Sequence, residues 1–361
     1  MNAIIDFRSD TVTRPNAAMR AAMAAAEVGD DVWGDDPTVI RLQQMCAERA
    51  GFEAGLFLPS GTQSNLCALM AHCQRGDEYI VGQLAHTYKY EGGGAAVLGS
   101  IQPQPIENAL DGTIPLEKIS AAVKPIDDHF ARTKLFTLEN TIGGKVLPHA
   151  YVTAAQTLAR SHGLAVHLDG ARIANAAVAM GVSLQEACAG FDSVSICLSK
   201  GLGAPAGSVL VGDKHFLQQA RRYRKMLGGG MRQAGIIAAA GIYALEHQFE
   251  RLADDHANAH ALAEGLRGLG ELTNVSHATN MVFVAVPLTH IAPLQGHLSA
   301  AGILCAIGPT TRLVLHLDVD RAGAMKFVAE CKDYFSGKVR VPSAPGAAAT
   351  GYAATASGGT K

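Results

Sequence analysis

A lysine at the end of an apolar run has the clearest chemical potential in this sequence. Lys200 follows a predicted strand at residues 193–198, and Gly201 and Gly203 come directly after it. An amine at the carboxyl end of a strand lies where an α/β sheet opens its ligand crevice, and partial desolvation there makes it nucleophilic toward a carbonyl carbon. Glycines let the backbone approach a flat ring closely. The alternative is an ordinary surface lysine.

An aspartate ends another apolar run. Asp169 closes a predicted strand at residues 164–169 and precedes Arg172. A carboxylate at this place can pair with a protonated pyridine nitrogen, as in sites where a lysine holds pyridoxal 5'-phosphate (PLP). Arg172 offers a planar fork suited to a substrate carboxylate. The alternative is a helix-capping aspartate beside a surface arginine. Because Asp169 and Lys200 end strands of one predicted sheet, the PLP site is favoured.

A short polar loop joins a predicted strand at residues 54–58 to a helix and contains Ser60, Gly61 and Thr62. Unpaired N–H groups at a helix start bind phosphate, and the helix dipole strengthens this binding. Because the loop has neither the Walker pattern nor Gly-x-Gly-x-x-Gly, a nucleotide site is disfavoured. The alternative is an ordinary capped helix.

Two histidines are candidates for proton transfer. His86 follows a predicted strand at residues 78–81, where it could stack on a PLP ring and move protons near neutral pH. His129 is a further candidate, although its surroundings in the sequence are uninformative. A polar loop histidine is the alternative for His86.

A basic cluster at residues 221–225 is followed by a glycine-rich stretch that ends at Arg232. RNA binding is the alternative function for this cluster, but the net charge of −2 provides no global field for nucleic acid. Arg232 better suits an anion bound across a subunit contact. Arg312 precedes a predicted strand and is otherwise a surface residue.

The elements that must position these residues alternate between strands and helices. The predicted strands of this region are 54–58, 78–81, 135–139, 164–169, 193–198 and 207–211, and the predicted helices are 65–73, 154–162 and 182–189. This alternation is typical of an α/β domain with a mostly parallel sheet.

The sequence predicts three segments. Residues 1–245 form an N-terminal segment and a large domain, and residues 246–338 form a smaller α+β domain. A long helical pattern from Gly235 toward Leu266 leads into the smaller domain. The smaller domain has predicted strands at 281–286 and 313–317 and a helix at 322–335. Residues 339–361 are rich in Ala, Gly, Ser and Thr, which predicts a disordered tail.

Composition limits the function classes. Of 361 residues, 48% are hydrophobic and 17% charged, which indicates a large globular core. The longest apolar run is too short to cross a bilayer, and no signal core is present. The seven cysteines are scattered, without a Cys-x-x-Cys pair. We therefore expect a cytoplasmic protein with no membrane, nucleic-acid or metal partner.

Several longer motifs together resemble one family, the PLP-dependent threonine aldolases of the β-eliminating lyase group. The motifs are DFRSDTVTRP at residues 6–15, VGDDVWGDDPT at 28–38, the segments around Ser60, His86, Asp169 and Lys200, and GGGMRQAG at 228–235. The resemblance runs from about Asp6 to about Tyr334. It implies the aspartate aminotransferase-like fold (fold type I) and a homotetramer built from close dimers.

The resemblance implies a role for each candidate. Lys200 binds PLP covalently, Asp169 pairs with its pyridine nitrogen, and His86 stacks on its ring. The phosphate is implied to be held by Gly61 and Thr62, with Arg232 from a neighbouring subunit. The residues implied to bind the substrate carboxylate are Ser9, Arg172 and Arg312, and those implied to border the substrate side chain or lie near it are His129, Tyr90 and Lys225.

The implied reaction is the reversible cleavage of L-threonine or L-allo-threonine to glycine and acetaldehyde. The base that takes the β-hydroxyl proton stays open, with His86 as the first candidate, as does the preference between the two diastereomers. Ile142 and Gly143 depart from the family pattern, which bears on side-chain selectivity. The alternative is another PLP-dependent lyase or a transaminase of the same fold.

Overall fold

The computed structural model describes residues 4–340. These residues form two units. Residues 15–249 make up the larger unit, and residues 4–14 together with 250–340 make up the smaller unit. The predicted tail lies, from residue 341 onward, outside the described residues. Within the described chain, no helix is both long and apolar enough to cross a membrane.

The secondary structure follows the chain in this order. The strands are β1 (Ile5–Asp6), β2 (Ala54–Leu58), β3 (Asp77–Gly82), β4 (Gln102–Ile106), β5 (Arg132–Glu139), β6 (Ala165–Gly170), β7 (Ser193–Cys197), β8 (Ser208–Gly212), β9 (Thr273–Ala278), β10 (Met281–Ala285), β11 (Ile303–Leu304) and β12 (Thr310–Val314). The helices are α1 (Ala17–Ala24), α2 (Pro37–Ala50), α3 (Gly61–His72), α4 (His86–Lys89), α5 (Gly94–Val97), α6 (Leu116–Ala122), α7 (His149–Ser161), α8 (Ile173–Met180), α9 (Leu184–Ala187), α10 (Lys214–Met226), α11 (Gly235–His247), α12 (Leu252–Leu266), α13 (Leu288–Ala300) and α14 (Arg321–Phe335).

The larger unit is built around a seven-stranded sheet in the order β2-β8-β7-β6-β5-β3-β4. Strands β7, β6, β5, β3 and β4 are parallel to their neighbours in this group. Strand β8 is antiparallel to both β2 and β7. Strands β3, β7 and β8 are buried along their whole length, as expected where helices cover both faces of a sheet. The predicted α/β class with a mostly parallel sheet is confirmed.

Some elements differ from the sequence prediction. Strand β4 was not predicted because Pro103 and Pro105 disfavour a ladder, and the structure places it at the sheet edge, where proline is tolerated. The helix predicted at residues 182–189 is shorter in the structure, where Ser183 caps the start of α9 and Cys188 follows its last residue. The helical pattern from Gly235 is interrupted between α11 and α12.

The smaller unit contains a three-stranded antiparallel sheet, β12-β10-β9, and the parallel pair β1-β11. Arg312 lies inside β12, whereas the sequence placed it just before a strand. Phe7 is fully buried, and its ring meets Phe327 at 5.1 Å. Because β1 pairs with β11, residues 4–14, which are part of the predicted N-terminal segment, belong to this unit.

A buried ion pair fastens the segment before α2 to the rest of the larger unit. The Arg224 guanidinium, on α10, lies 2.7 Å from Asp31 and donates to the Phe57 carbonyl on β2 at 2.7 Å. Both charged side chains are almost completely buried. Burial lowers the pKa of Arg224 and raises the pKa of Asp31, and each charge partly offsets the effect on the other. The pair is therefore costly to break, because either partner alone would be a buried unpaired charge.

We predict that Arg224→Ala lowers the free energy of unfolding by about 3–5 kcal/mol, since Asp31 is left without its partner. Urea unfolding followed by circular dichroism measures the change. Arg222→Ala is the matched control: Arg222 is exposed on the same helix, and its loss should change stability by no more than about 0.5 kcal/mol. Equal losses in the two variants would contradict the assignment.

Candidate active site

Three polar residues form a row across adjacent strands of the larger unit. Glu139 on β5 pairs in register with Asp169 on β6, and Asp169 pairs with Ser195 on β7. Because these strands are parallel, the chain leaves all three at the same edge of the sheet. Lys200 follows β7 by three residues. The predicted meeting of Asp169 and Lys200 at one edge therefore has a direct basis in the strand register.

Asp169 is buried and accepts two hydrogen bonds. Its Oδ2 accepts from Asn65 Nδ2 on α3 at 2.9 Å, and its Oδ1 accepts from the backbone N–H of Ala171 at 3.0 Å. Two donors to an otherwise buried carboxylate offset much of the cost of removing it from water. Asp169 is thus presented as a hydrogen-bonded anion, the form that pairs with a cationic heterocycle.

His86 lies between two carboxylates. Its Nδ1 is 2.9 Å from Glu91 Oε1, and its backbone N–H donates to Glu139 Oε2 at 2.7 Å. Burial lowers the pKa of His86, but the hydrogen bond to Glu91 and the negative charges of Asp169 and Glu91 outweigh this and raise it overall. Burial raises the pKa of Glu91, against the opposing effect of the His86 hydrogen bond. The two groups behave as a coupled acid–base pair.

Lys200 lies close enough to this cluster for its positive charge to act on two of its members. Its positive charge lowers the pKa of both His86 and Glu139. Burial, and then the charge of Asp169, raise the pKa of Glu139 to about 7. One side-chain nitrogen of His86 and one carboxylate oxygen each of Glu91 and Asp169 lie within 4.8 Å of one another. The site thus gathers an amine, an imidazole and three carboxylates, a combination typical of a catalytic centre.

The start of α3, in the larger unit, forms a candidate anion-binding site, here called the anion cradle. Thr62 is exposed in its first turn, and Ser60 caps the helix by accepting from the Gln63 N–H at 3.2 Å. A Cβ added at Gly61 would lie 3.5 Å from Ser208 Oγ. Within residues 4–340 the buried Ser208 hydroxyl has no hydrogen-bond partner. An unsatisfied hydroxyl beside free helix N–H groups fits a phosphate oxygen.

Other predicted residues are distributed more widely. The Tyr90 ring lies 5.8 Å from the His86 ring, at the other end of the short helix α4. Arg172 is half-buried and precedes α8, directly after the turn that follows Asp169. Ser9 and Arg312 belong to the smaller unit, where Arg312 donates to the carbonyl of Arg8 at 3.5 Å.

Three predicted residues are at the surface of the described chain. The His129 side chain is 87% exposed, and its Nδ1 lies 2.6 Å from Asp127. The Arg232 side chain is 55% exposed and pairs with Asp30 at 3.0 Å. Lys225 is exposed near the end of α10. The single chain does not bring these three into the Asp169 cluster.

The structure adds site residues that sequence reasoning missed. Asn65, Glu91 and Glu139 all contact His86 or Asp169, and Ser208 lies beside Gly61. A signal existed for Glu139, since it ends a predicted strand as Asp169 does. Asn65 gave no separate signal, since it ends the polar run at residues 62–65 that opens α3.

Ile142, the departure noted in the sequence, is buried and packs against Gly112, where an added Cβ would collide with its side chain. Its apolar character is therefore explained by packing.

We predict that Glu91→Gln lowers the pKa of His86, because it removes a negative charge and weakens a hydrogen bond. A raised histidine pKa stabilises the fold below the ordinary value of 6.5, and that contribution is lost as the pH rises through the folded value. The variant should therefore lose about 1 kcal/mol more stability near pH ~6 than near pH ~9. NMR titration and urea unfolding at both pH values measure these effects. Equal losses at both would contradict the coupling.

Comparison with known proteins supports one family. The profile of the family described as beta-eliminating lyase matches residues 6–289. The chain is 55% identical over 333 residues to the low specificity L-threonine aldolase of Escherichia coli K12, covering 92% of this chain and all of that protein. It is 50% identical over 291 residues to a probable low-specificity L-threonine aldolase 2 of Arabidopsis thaliana, covering 78% and 82% of the two chains. The solved threonine aldolase of Leishmania major is similar in fold, with a TM-score of 0.78, 22% identity and coverage of 92% and 99%. The chain therefore belongs to the beta-eliminating lyase family.

Proposed function

We propose that this protein is a PLP-dependent aldolase that cleaves L-threonine, L-allo-threonine and related β-hydroxy-α-amino acids to glycine and an aldehyde. One observation carries the proposal: the buried, doubly hydrogen-bonded Asp169 carboxylate shares a sheet edge with the Lys200 amine. The names of the Escherichia coli and Arabidopsis thaliana relatives support the substrate class.

The residues of the larger unit fit PLP at both ends of the cofactor. Asp169 suits a protonated pyridine nitrogen, and the α3 start with Gly61, Thr62 and the unpartnered Ser208 hydroxyl suits a phosphate. Lys200 supplies the amine for covalent attachment. When bound, PLP acts as an electron sink for a bond broken at the substrate α-carbon.

The orientation of the bound substrate would decide which bond at its α-carbon is cleaved. Arg172 provides a guanidinium fork for the substrate carboxylate and thereby sets that orientation. Ser9 and Arg312, of the smaller unit, are proposed for the same carboxylate. Tyr90, His129 and Lys225 are proposed to border the substrate side chain or lie near it.

His86 is the proposed base for the β-hydroxyl proton. Its Nδ1 faces Glu91, so Nε2 is the ring nitrogen that remains for a substrate hydroxyl. The Glu91 carboxylate stabilises the imidazolium that forms when Nε2 takes the proton, in the same direction as the raised pKa of His86. Glu139 accepts a hydrogen bond from the His86 backbone N–H and so fixes the position from which the imidazole ring extends.

The proposed assembly is a homotetramer in which Arg232 reaches the phosphate of a neighbouring subunit. Exposed apolar side chains of the larger unit, including Trp33, Val97 and Met226, support association between copies. The exposed Arg232 side chain is accessible to a second chain. All seven cysteines are free and buried, which supports a reducing, cytoplasmic setting.

We predict that the purified protein converts L-threonine to glycine and acetaldehyde, and that Lys200→Ala lowers the rate more than about a thousandfold by removing the covalent anchor. Coupled acetaldehyde reduction and amino-acid analysis measure the products. Lys214→Ala, an exposed lysine at the start of α10, is the control and should retain activity. A keto acid product would identify a transaminase instead. No turnover together with no borohydride-trapped adduct on Lys200 would refute the proposal.

We predict that His86→Phe lowers kcat about a hundredfold or more, because a phenyl ring keeps the stacking surface but cannot accept a proton. PLP affinity, measured by equilibrium dialysis of the same variant, should change little and serves as the internal control. Steady-state kinetics with L-threonine and L-allo-threonine give the result for each diastereomer. Unchanged turnover would exclude His86 as the base.

A further inference from the structure

Helix α3 is fastened to strands β6 and β7 by a buried row of polar contacts. Near the start of α3, the Ser195 hydroxyl lies 2.7 Å from the Ser64 hydroxyl. At the last residue of α3, His72 Nε2 lies 2.7 Å from the Ser193 hydroxyl. Between them, Asn65 contacts the Asp169 carboxylate. This face of a buried helix is polar where apolar packing is the usual choice, so each of its polar groups needs a hydrogen-bond partner.

The contacts of His167 join Ser193 to Asn65. His167 is fully buried on β6, two residues before Asp169 and therefore on the same face of the strand. Its Nδ1 lies 2.8 Å from the Ser193 hydroxyl, and its Nε2 lies 3.3 Å from Asn65 Oδ1. Burial lowers the pKa of His167 to about 3 and that of His72 to about 4, so both rings are neutral at physiological pH.

Neutral rings leave one consistent set of donors. The Asn65 amide must present its NH₂ group to the carboxylates, which only accept, so its oxygen faces His167. His167 then donates from Nε2 and accepts at Nδ1 from the Ser193 hydroxyl. That hydroxyl in turn accepts from His72 Nε2. Every donor in the chain thus points the same way, toward Asp169, and bonds aligned in this manner polarise one another.

Asn65 also joins two carboxylates that would otherwise repel each other. Its Nδ2 lies 2.9 Å from Asp169 Oδ2 and 2.8 Å from Glu91 Oε1. One amide nitrogen carries two hydrogens, so it can satisfy one oxygen of each group. No other residue type of this size can donate twice from one end and accept from the other.

We infer that Asn65 is a positioning residue of the cofactor site, and that the chain of His72, Ser193 and His167 fixes the direction of its amide. This arrangement presents Asp169 as an oriented anion to the cationic ring nitrogen of PLP. The inference rests on the proposed function. The charge of Asp169 acts on His86, Glu91 and Glu139, and Lys200 acts on His86 and Glu139; none of these groups is altered by the variants below.

The test measures binding to the apo protein, not turnover. The ligand is 4'-deoxypyridoxine 5'-phosphate, which has the ring nitrogen and phosphate of PLP but no aldehyde and so does not need Lys200. Asn65→Asp, which is similar in shape and cannot donate when it is ionised, should bind it about tenfold more weakly or worse by calorimetry. Ser193→Ala, which interrupts the chain and leaves Asn65 in place, should bind it about threefold more weakly. Inorganic phosphate, which does not reach Asp169, should bind both variants within about twofold of the native protein.

Ser64→Ala is the matched control, since it removes a buried hydrogen bond from the neighbouring residue of the same helix without touching Asp169. Its affinity for the analogue should equal that of the native protein. If it weakens as much as Asn65→Asp, or if neither Asn65→Asp nor Ser193→Ala weakens, the inference is overturned. If Asn65→Asp does not fold, by circular dichroism, Ser193→Ala alone decides. Failure of the native apo protein to bind PLP would instead overturn the proposed function, and the inference with it.

Discussion

The structure depends on holding a carboxylate ionised in a buried place. Asp169 lies at the end of a strand that is covered on both faces, close to Glu91 and Glu139, where a further negative charge is unfavourable. Fixed donors solve this problem: the Asn65 amide and the Ala171 N–H each bind one oxygen. Water would move when a ligand arrives, whereas these donors are already in place.

The parallel sheet makes this arrangement possible. Strands β5, β6 and β7 run in one direction, so the residues that end them meet along one edge. Helix α3 then spans the site, with its first turn at the anion cradle and Asn65 one turn further along. The distance between a phosphate-binding end and a ring-binding end is thus set by a single rigid element, which suits a cofactor of fixed length.

The same cluster shows how one site provides groups of different proton affinity. Glu139 has its pKa raised to about 7 by burial and by the charge of Asp169, and His86 has its pKa raised by Glu91 and Asp169 in spite of burial. Behind them, His72 and His167 have lowered pKa values and stay neutral. Imidazoles near the carboxylates are thus suited to carry protons, while those further back act only as oriented dipoles.

The sequence by itself determined six of the seven strands of the larger sheet and the polar residues that end several of them. Apolar runs that stop at Asp169 or before Lys200 report burial directly, and the glycine and hydroxyls after β2 report a helix start. The sequence did not show that Asn65 donates to Asp169, because 104 positions separate them and the contact arises only when α3 crosses β6. Nor did it show that β1 pairs with β11 or that prolines leave β4 at the edge, since strand order follows from packing and not from local pattern. Local periodicity thus decided the elements, and only the tertiary structure decided which side chains share a buried hydrogen bond.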